Sequence, residues 1–111
     1  MAKHSSEVKL KVNLDENKVP ESMTWTAQDG GVKPSPTKAA IVSVWDHKSH
    51  ELLKMDLWTK DMPLDQMKKF LHQNLVGLAD TMQRATGEEA AAEELRAFAQ
   101  TMGEKLDILK K

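Results

Sequence analysis

Cysteine is absent from the 111 residues. Its absence removes disulfides, thiolate zinc sites, iron–sulfur clusters and a thiol nucleophile together. An excess of one charge is missing too: 16 basic residues are interleaved with 17 acidic ones, for a net charge of -1. That balance builds no strong positive field, so no nucleic-acid partner is expected. No stretch approaches the roughly 18 apolar residues of a membrane span, which argues against membrane insertion. Between Met1 and Glu7 there is no apolar h-region, and the expectation is a cytoplasmic protein without a signal peptide. Internal repeats and low-complexity segments are lacking as well.

What is present suits one hydrophobic core. A mass of 12.5 kDa and a hydrophobic content of 40% predict a single α+β domain over residues 1–111 that needs no covalent staple. Residues 1–6 read as a flexible leader. Val8, Leu10, Val12 and Leu14 then alternate with polar residues, the period-two mark of a strand with one dry face. Asp15 to Lys18 form a turn, and Met23, Trp25 and Ala27 alternate again as a hairpin partner. Asp29-Gly30-Gly31 and Lys33-Pro34-Ser35-Pro36-Thr37 combine residues tolerant of positive φ with two fixed-φ prolines, which predicts a mobile loop over 29–37. It is not a phosphate cradle, because a strand rather than a helix follows.

Ala39 to Asp46 and Glu51 to Trp58 are β-rich runs separated by His47-Lys48-Ser49-His50, a second hairpin. A symmetric turn pairs Val44 with Leu53, Val42 with Met55 and Ala40 with Leu57 on a core-facing side. It also pairs Trp45 with Leu52, Ser43 with Lys54, Ile41 with Asp56 and Ala39 with Trp58 on the other side. From Pro63 the period becomes helical: Met67, Phe70, Leu71, Asn74, Leu75, Leu78, Ala79 and Met82 share a stripe that ends near Thr86, with Gly87 as the stop. Thr86-Gly87-Glu88-Glu89 opens a second helix with Ala91, Leu95, Phe98, Ala99, Met102, Leu106 and Leu109 on its face. The order is β-β-β-β-α-α. The expected architecture is a four-stranded antiparallel sheet of two hairpins with a C-terminal two-helix hairpin packed on one face.

Candidates for chemistry are few. His47 and His50 lie between Asp46 and Glu51, residue types that can ligate zinc or iron, but two histidines three apart in a turn carry no defined geometry. Asp56, Lys60, Asp61 and Asp65 surround the passage into the first helix, where acidic groups serve the helix dipole. Neither a nucleophile elbow nor a triad-like motif accompanies the Ser, Thr and His residues. The reading is therefore a protein that is not an enzyme, with no catalytic, cofactor-binding or metal residues. Asn74, inside the apolar stripe, reads as a buried amide that fixes packing. The seven Met residues read as core filler. More promising is the outer sheet face, where Trp45, Trp58, Ile41 and Leu52 stand among Ser43, Lys54 and Asp56. Aromatic anchors ringed by polar groups are the makings of a protein interface.

Asp29-Gly30-Gly31, Ser43 to Asp46, Asp56 to Pro63, His72-Gln73, Ala79 to Thr81 and Ala85 to Gly87 together make the chain resemble the GldC family of gliding-motility proteins, from about Val8 to about Leu106. That resemblance implies an accessory protein of bacterial surface gliding in Bacteroidetes-type organisms. It also implies a link to type IX secretion, protein partners from the gliding or secretion machinery, and no catalytic residues. Homo-oligomerisation through the Trp45 and Trp58 face is a further expectation. By topology alone, four antiparallel strands followed by two helices are also the order of the export chaperone SecB, which raises the alternative of an oligomeric holdase for unfolded clients.

Overall fold

The computed structural model describes residues 3–109, with the elements β1 (Val8–Leu14), β2 (Pro20–Ala27), β3 (Val32–Thr37), β4 (Ala39–Trp45), β5 (Leu52–Trp58), α1 (Leu64–Thr86) and α2 (Glu89–Lys105). Of the leader expected over residues 1–6, residues 1 and 2 lie outside the described residues, and residues 3–7 hold neither helix nor strand. The chain divides into two compact units, Met1–Met62 and Pro63–Lys111.

The first unit holds all five strands in two antiparallel sheets, β1-β2-β3 and β4-β5, and not one four-stranded sheet. The correction turns on residues 32–37, expected within a loop and found as β3. Prolines interrupt central strands because they cannot donate to a ladder, but an edge strand can turn the missing N–H groups outward. Pro34 and Pro36 stand two apart on β3, which is the edge of its sheet, so their gaps face the same way. Only the turn before β3 keeps the loop character, with the Gly30 and Gly31 amides donating to the carbonyls of Ala27 and Gln28 and Gly31 at φ 74°. A single residue, Lys38, separates β3 from β4, and there the chain leaves one sheet for the other.

The β1–β2 turn is held by one carboxylate. Asp15 Oδ1 accepts from the amides of Asn17 at 2.8 Å and Val19 at 3.0 Å, while Lys18 takes a positive φ of 62°. Among the described residues of this unit, Met23, near the centre of the middle strand β2, is the buried apolar side chain, at 1% exposure.

In the second unit Pro63 caps α1 and Gly87, at φ 74°, closes it by donating its amide to Gln83. The Thr86 hydroxyl donates to the Met82 carbonyl at 2.6 Å and accepts the Glu88 amide at 3.1 Å, joining the two helices at a tight corner. The seam between them is made of small residues: Ala79 of α1 and Ala92, Ala99 and Gly103 of α2 are buried. Ala91 and Phe98, expected on the packed face of α2, are exposed. His72 Nε2 donates to the Ala99 carbonyl at 3.0 Å across the seam, a reach that a bulkier interface would prevent. The Asn74 amide bonds back to the Phe70 carbonyl at 2.8 Å, so its partner is its own helix.

Candidate interaction surface

The β4–β5 hairpin begins with its turn. Asp46 accepts the Ser49 amide at 2.7 Å on its carboxylate, and the His50 amide donates to the Asp46 carbonyl at 3.1 Å. His50 sits at φ 56°, the left-handed residue that lets the six residues between the strands close the loop. The Ser49 amide is the main reason the Asp46 carboxyl is held below its ordinary value. His47 and His50 are exposed in this turn, and among the described residues no group of three or more His, Asp or Glu could hold a metal ion.

From that turn the ladder runs pair by pair as alternation demands: Trp45 with Leu52, Val44 with Leu53, Ser43 with Lys54, Val42 with Met55, Ile41 with Asp56, Ala40 with Leu57 and Ala39 with Trp58. Trp45, Leu52 and Trp58 share one face and are exposed at 68%, 58% and 53%; Ile41, between them in the ladder, is half-buried. The opposite face differs from expectation. Val44, Leu53 and Met55, read as core-facing, are exposed too. Ala40 and Leu57, nearer the base, are half-buried, so the hairpin presents its exposed apolar side chains on both sides towards the turn.

The base of the hairpin is fixed by polar contacts. Thr59, at 2% exposure, donates its amide to the Lys38 carbonyl at 2.8 Å and its hydroxyl to Asp61 at 2.6 Å. That hydroxyl is the first cause of the lowered Asp61 carboxyl, with Lys38 at 3.4 Å adding to it. Lys60 donates its amide to the Pro20 carbonyl at 3.0 Å, and its ammonium meets Asp15 at 3.1 Å and Glu21 at 3.5 Å. A shallow groove lined by Val19, Pro20, Asp56, Leu57, Trp58 and Lys60 runs beside this base. These carboxylates hold turns and tie the hairpin down.

A family model described as gliding motility-associated protein GldC-like matches residues 20–108. The chain belongs to the GldC-like family. The matched span takes in the hairpin, its base and both helices, and begins after β1 rather than at Val8. Comparison with curated proteins and with solved structures returns no match. Membership associates this GldC-like chain with gliding motility, and among its described residues no helix is long and apolar enough to cross a membrane.

Proposed function

We propose that this GldC-like chain is a non-enzymatic interaction subunit of bacterial surface gliding, tied to type IX secretion and acting in the cytoplasm, and that its β4–β5 hairpin is the part that docks. The observation that carries this reading is the exposure of Trp45, Leu52 and Trp58 on one face together with Val44, Leu53 and Met55 on the other. Contiguous apolar surface of this kind is costly in water and marks interaction sites. Tryptophan is the residue most enriched among interface anchors. The fixed base and free turn end suit a rigid arm that carries those anchors to a partner.

The test is retrieval of gliding or secretion components from a gliding cell by wild-type protein and by the Trp45→Ala, Trp58→Ala double variant. Loss of those components with an unchanged melting temperature is the expected result. Retrieval of the same set by the double variant removes the hairpin from the reading. A second reading, a SecB-like holdase, draws on the same two-sided apolar surface and on the adaptable side chain of Met55. Suppression of an unfolded client's aggregation at stoichiometric ratios would favour it.

A further inference from the structure

The free edge of β5 carries its own complement. Lys54 and Asp56 stand two apart on that strand, their charged atoms 3.2 Å from each other and both about half exposed. Across the hairpin they face Ser43 and Ile41, neither of which is charged. Their remaining neighbours lie on the other side of β5, where the hairpin has no third strand.

Backbone directions restrict what can pair there. The Thr59 amide points to β4, donating to Lys38, and the Lys60 amide points the other way, to Pro20. Amides alternate along a strand, so those of Leu52, Lys54, Asp56 and Trp58 face the outer edge, which Pro20 meets at Lys60 and which carries no third strand from Trp58 to Leu52. In an antiparallel pairing of β5 with the β5 of a second copy, these four residues must meet one another. Centring the two-fold axis on Met55 sets Lys54 opposite Asp56 of the second copy, Asp56 opposite its Lys54, and Leu52 opposite its Trp58. Moving the axis by one residue either way sets Lys54 against Lys54 or Asp56 against Asp56, which is destabilising. Parallel pairing offers no two-fold closure of this kind. The free edge of β4, Ala39 to Trp45, has no charge and selects no register.

We propose that two copies of this chain join through their β5 edges about a two-fold axis at Met55, forming a four-stranded antiparallel sheet. The inference rests on the hairpin being the docking element and names its first partner. In the resulting sheet, Trp45 and Leu52 of one copy stand in a row with Trp58 of the other. Each end of the face therefore carries an apolar cluster that neither copy makes alone, with the crossed Lys–Asp pairs between the two clusters. Partner components of the gliding machinery dock on a surface completed by dimerisation.

Charge exchange on the full-length protein tests this. Lys54→Asp leaves two like pairs in the homodimer, and so does Asp56→Lys. Each should raise the dimer dissociation constant about tenfold or more in sedimentation equilibrium, with far-UV circular dichroism unchanged. Mixing the two variants in equal amounts should form a heterodimer at close to wild-type affinity. That rescue separates the copies' mutual contact from the Lys54–Asp56 contact within one chain, which both variants have lost. Hydrogen exchange should slow at Leu52, Lys54, Asp56 and Trp58 as wild-type concentration rises through the dissociation constant. A wild type that stays monomeric, a mixture that fails to associate, or a dimer whose β5 edge amides exchange at the monomer rate overturns the proposal. If the edge test fails while the Trp45→Ala, Trp58→Ala variant still loses its gliding partners, the docking role of the hairpin stands without the dimer.

Discussion

The ammonium of Lys60 lies 3.1 Å from the carboxylate of Asp15, forty-five residues earlier in the chain. This contact joins the residue that shapes the β1–β2 turn to the residue that follows the hairpin. Asp15 spends one carboxylate oxygen on the amides of Asn17 and Val19 and the other on Lys60. Loss of that one side chain would loosen a turn and the base of the docking arm together.

Acid should therefore weaken the strand unit first. The Val19 amide, and then Lys60, hold the Asp15 carboxyl below its ordinary 3.8, and the Asp46 and Asp61 carboxyls shift the same way. A group whose folded pKa is lowered contributes stability above its unfolded value and loses it as pH falls through the folded value. Urea midpoints should hold steady from pH 7 to about 5 and fall below about pH 4. Asp15→Asn should have a lower midpoint at neutral pH and a flatter acid limb; an unchanged acid limb would deny Asp15 this role. Lys60, raised chiefly by Asp15, acts in the opposite sense, and its contribution is lost as pH climbs past its ordinary 10.5.

Met23 is buried within the strand unit, at 1% exposure. Met23→Ala should cost about 2–5 kcal/mol, the range for truncating a buried aliphatic chain. Guanidinium unfolding followed by the tryptophan signal measures it. A loss under about 1 kcal/mol would mean that the site collapses around the deleted atoms.

Gly103 occupies the helix seam for lack of room. A Cβ placed there would lie 2.7 Å from Leu109 Cγ and 3.0 Å from His72 Nε2. Gly103→Ala gains helix propensity but must displace both side chains, and the displacement of His72 breaks its bond to the Ala99 carbonyl. The expected net effect is destabilisation of the helical unit by about 1–3 kcal/mol, the usual cost of overpacking. Thermal unfolding followed by the helical circular dichroism band is the measurement, and a raised melting temperature would show that the seam opens without strain.

Legibility in the sequence followed the physics of each segment. The β4–β5 register was readable pair by pair, because alternation fixes faces and the His47 to His50 turn fixes the centre. β3 was hidden by Pro34 and Pro36, which punctuate loops and free edges alike; only the neighbours of a strand tell the two apart. With β3 unread, the chain's passage at Lys38 from one sheet to another had no signal, and two hairpins were summed into one sheet. In α2 the expected face held at Ala99, which is buried, and at the half-buried Leu95 and Met102; it wrongly took in Ala91 and Phe98 and missed Ala92 and Gly103, which join the seam by being small enough for close approach. The apolar character of the docking face was legible from Trp45, Leu52 and Trp58. The openness of the opposite face was not, since alternation marks a side as apolar without saying what covers it.

Tryptophan emission gives a direct reading of that openness. The chain has three tryptophans, and Trp25, Trp45 and Trp58 are all exposed, Trp45 most of all. Dilute protein should emit at long wavelength and be quenched efficiently by acrylamide. Removing Trp45 should take away the most quenchable component while stability changes by no more than about 0.5 kcal/mol, as for exposed substitutions generally. On engagement of the hairpin face, emission from Trp45 and Trp58 should move to shorter wavelength and resist quenching, while that from Trp25, on β2, should not. A Trp45→Phe, Trp58→Phe variant that keeps the full shift would assign the change to Trp25 and place the contact on the three-stranded sheet instead.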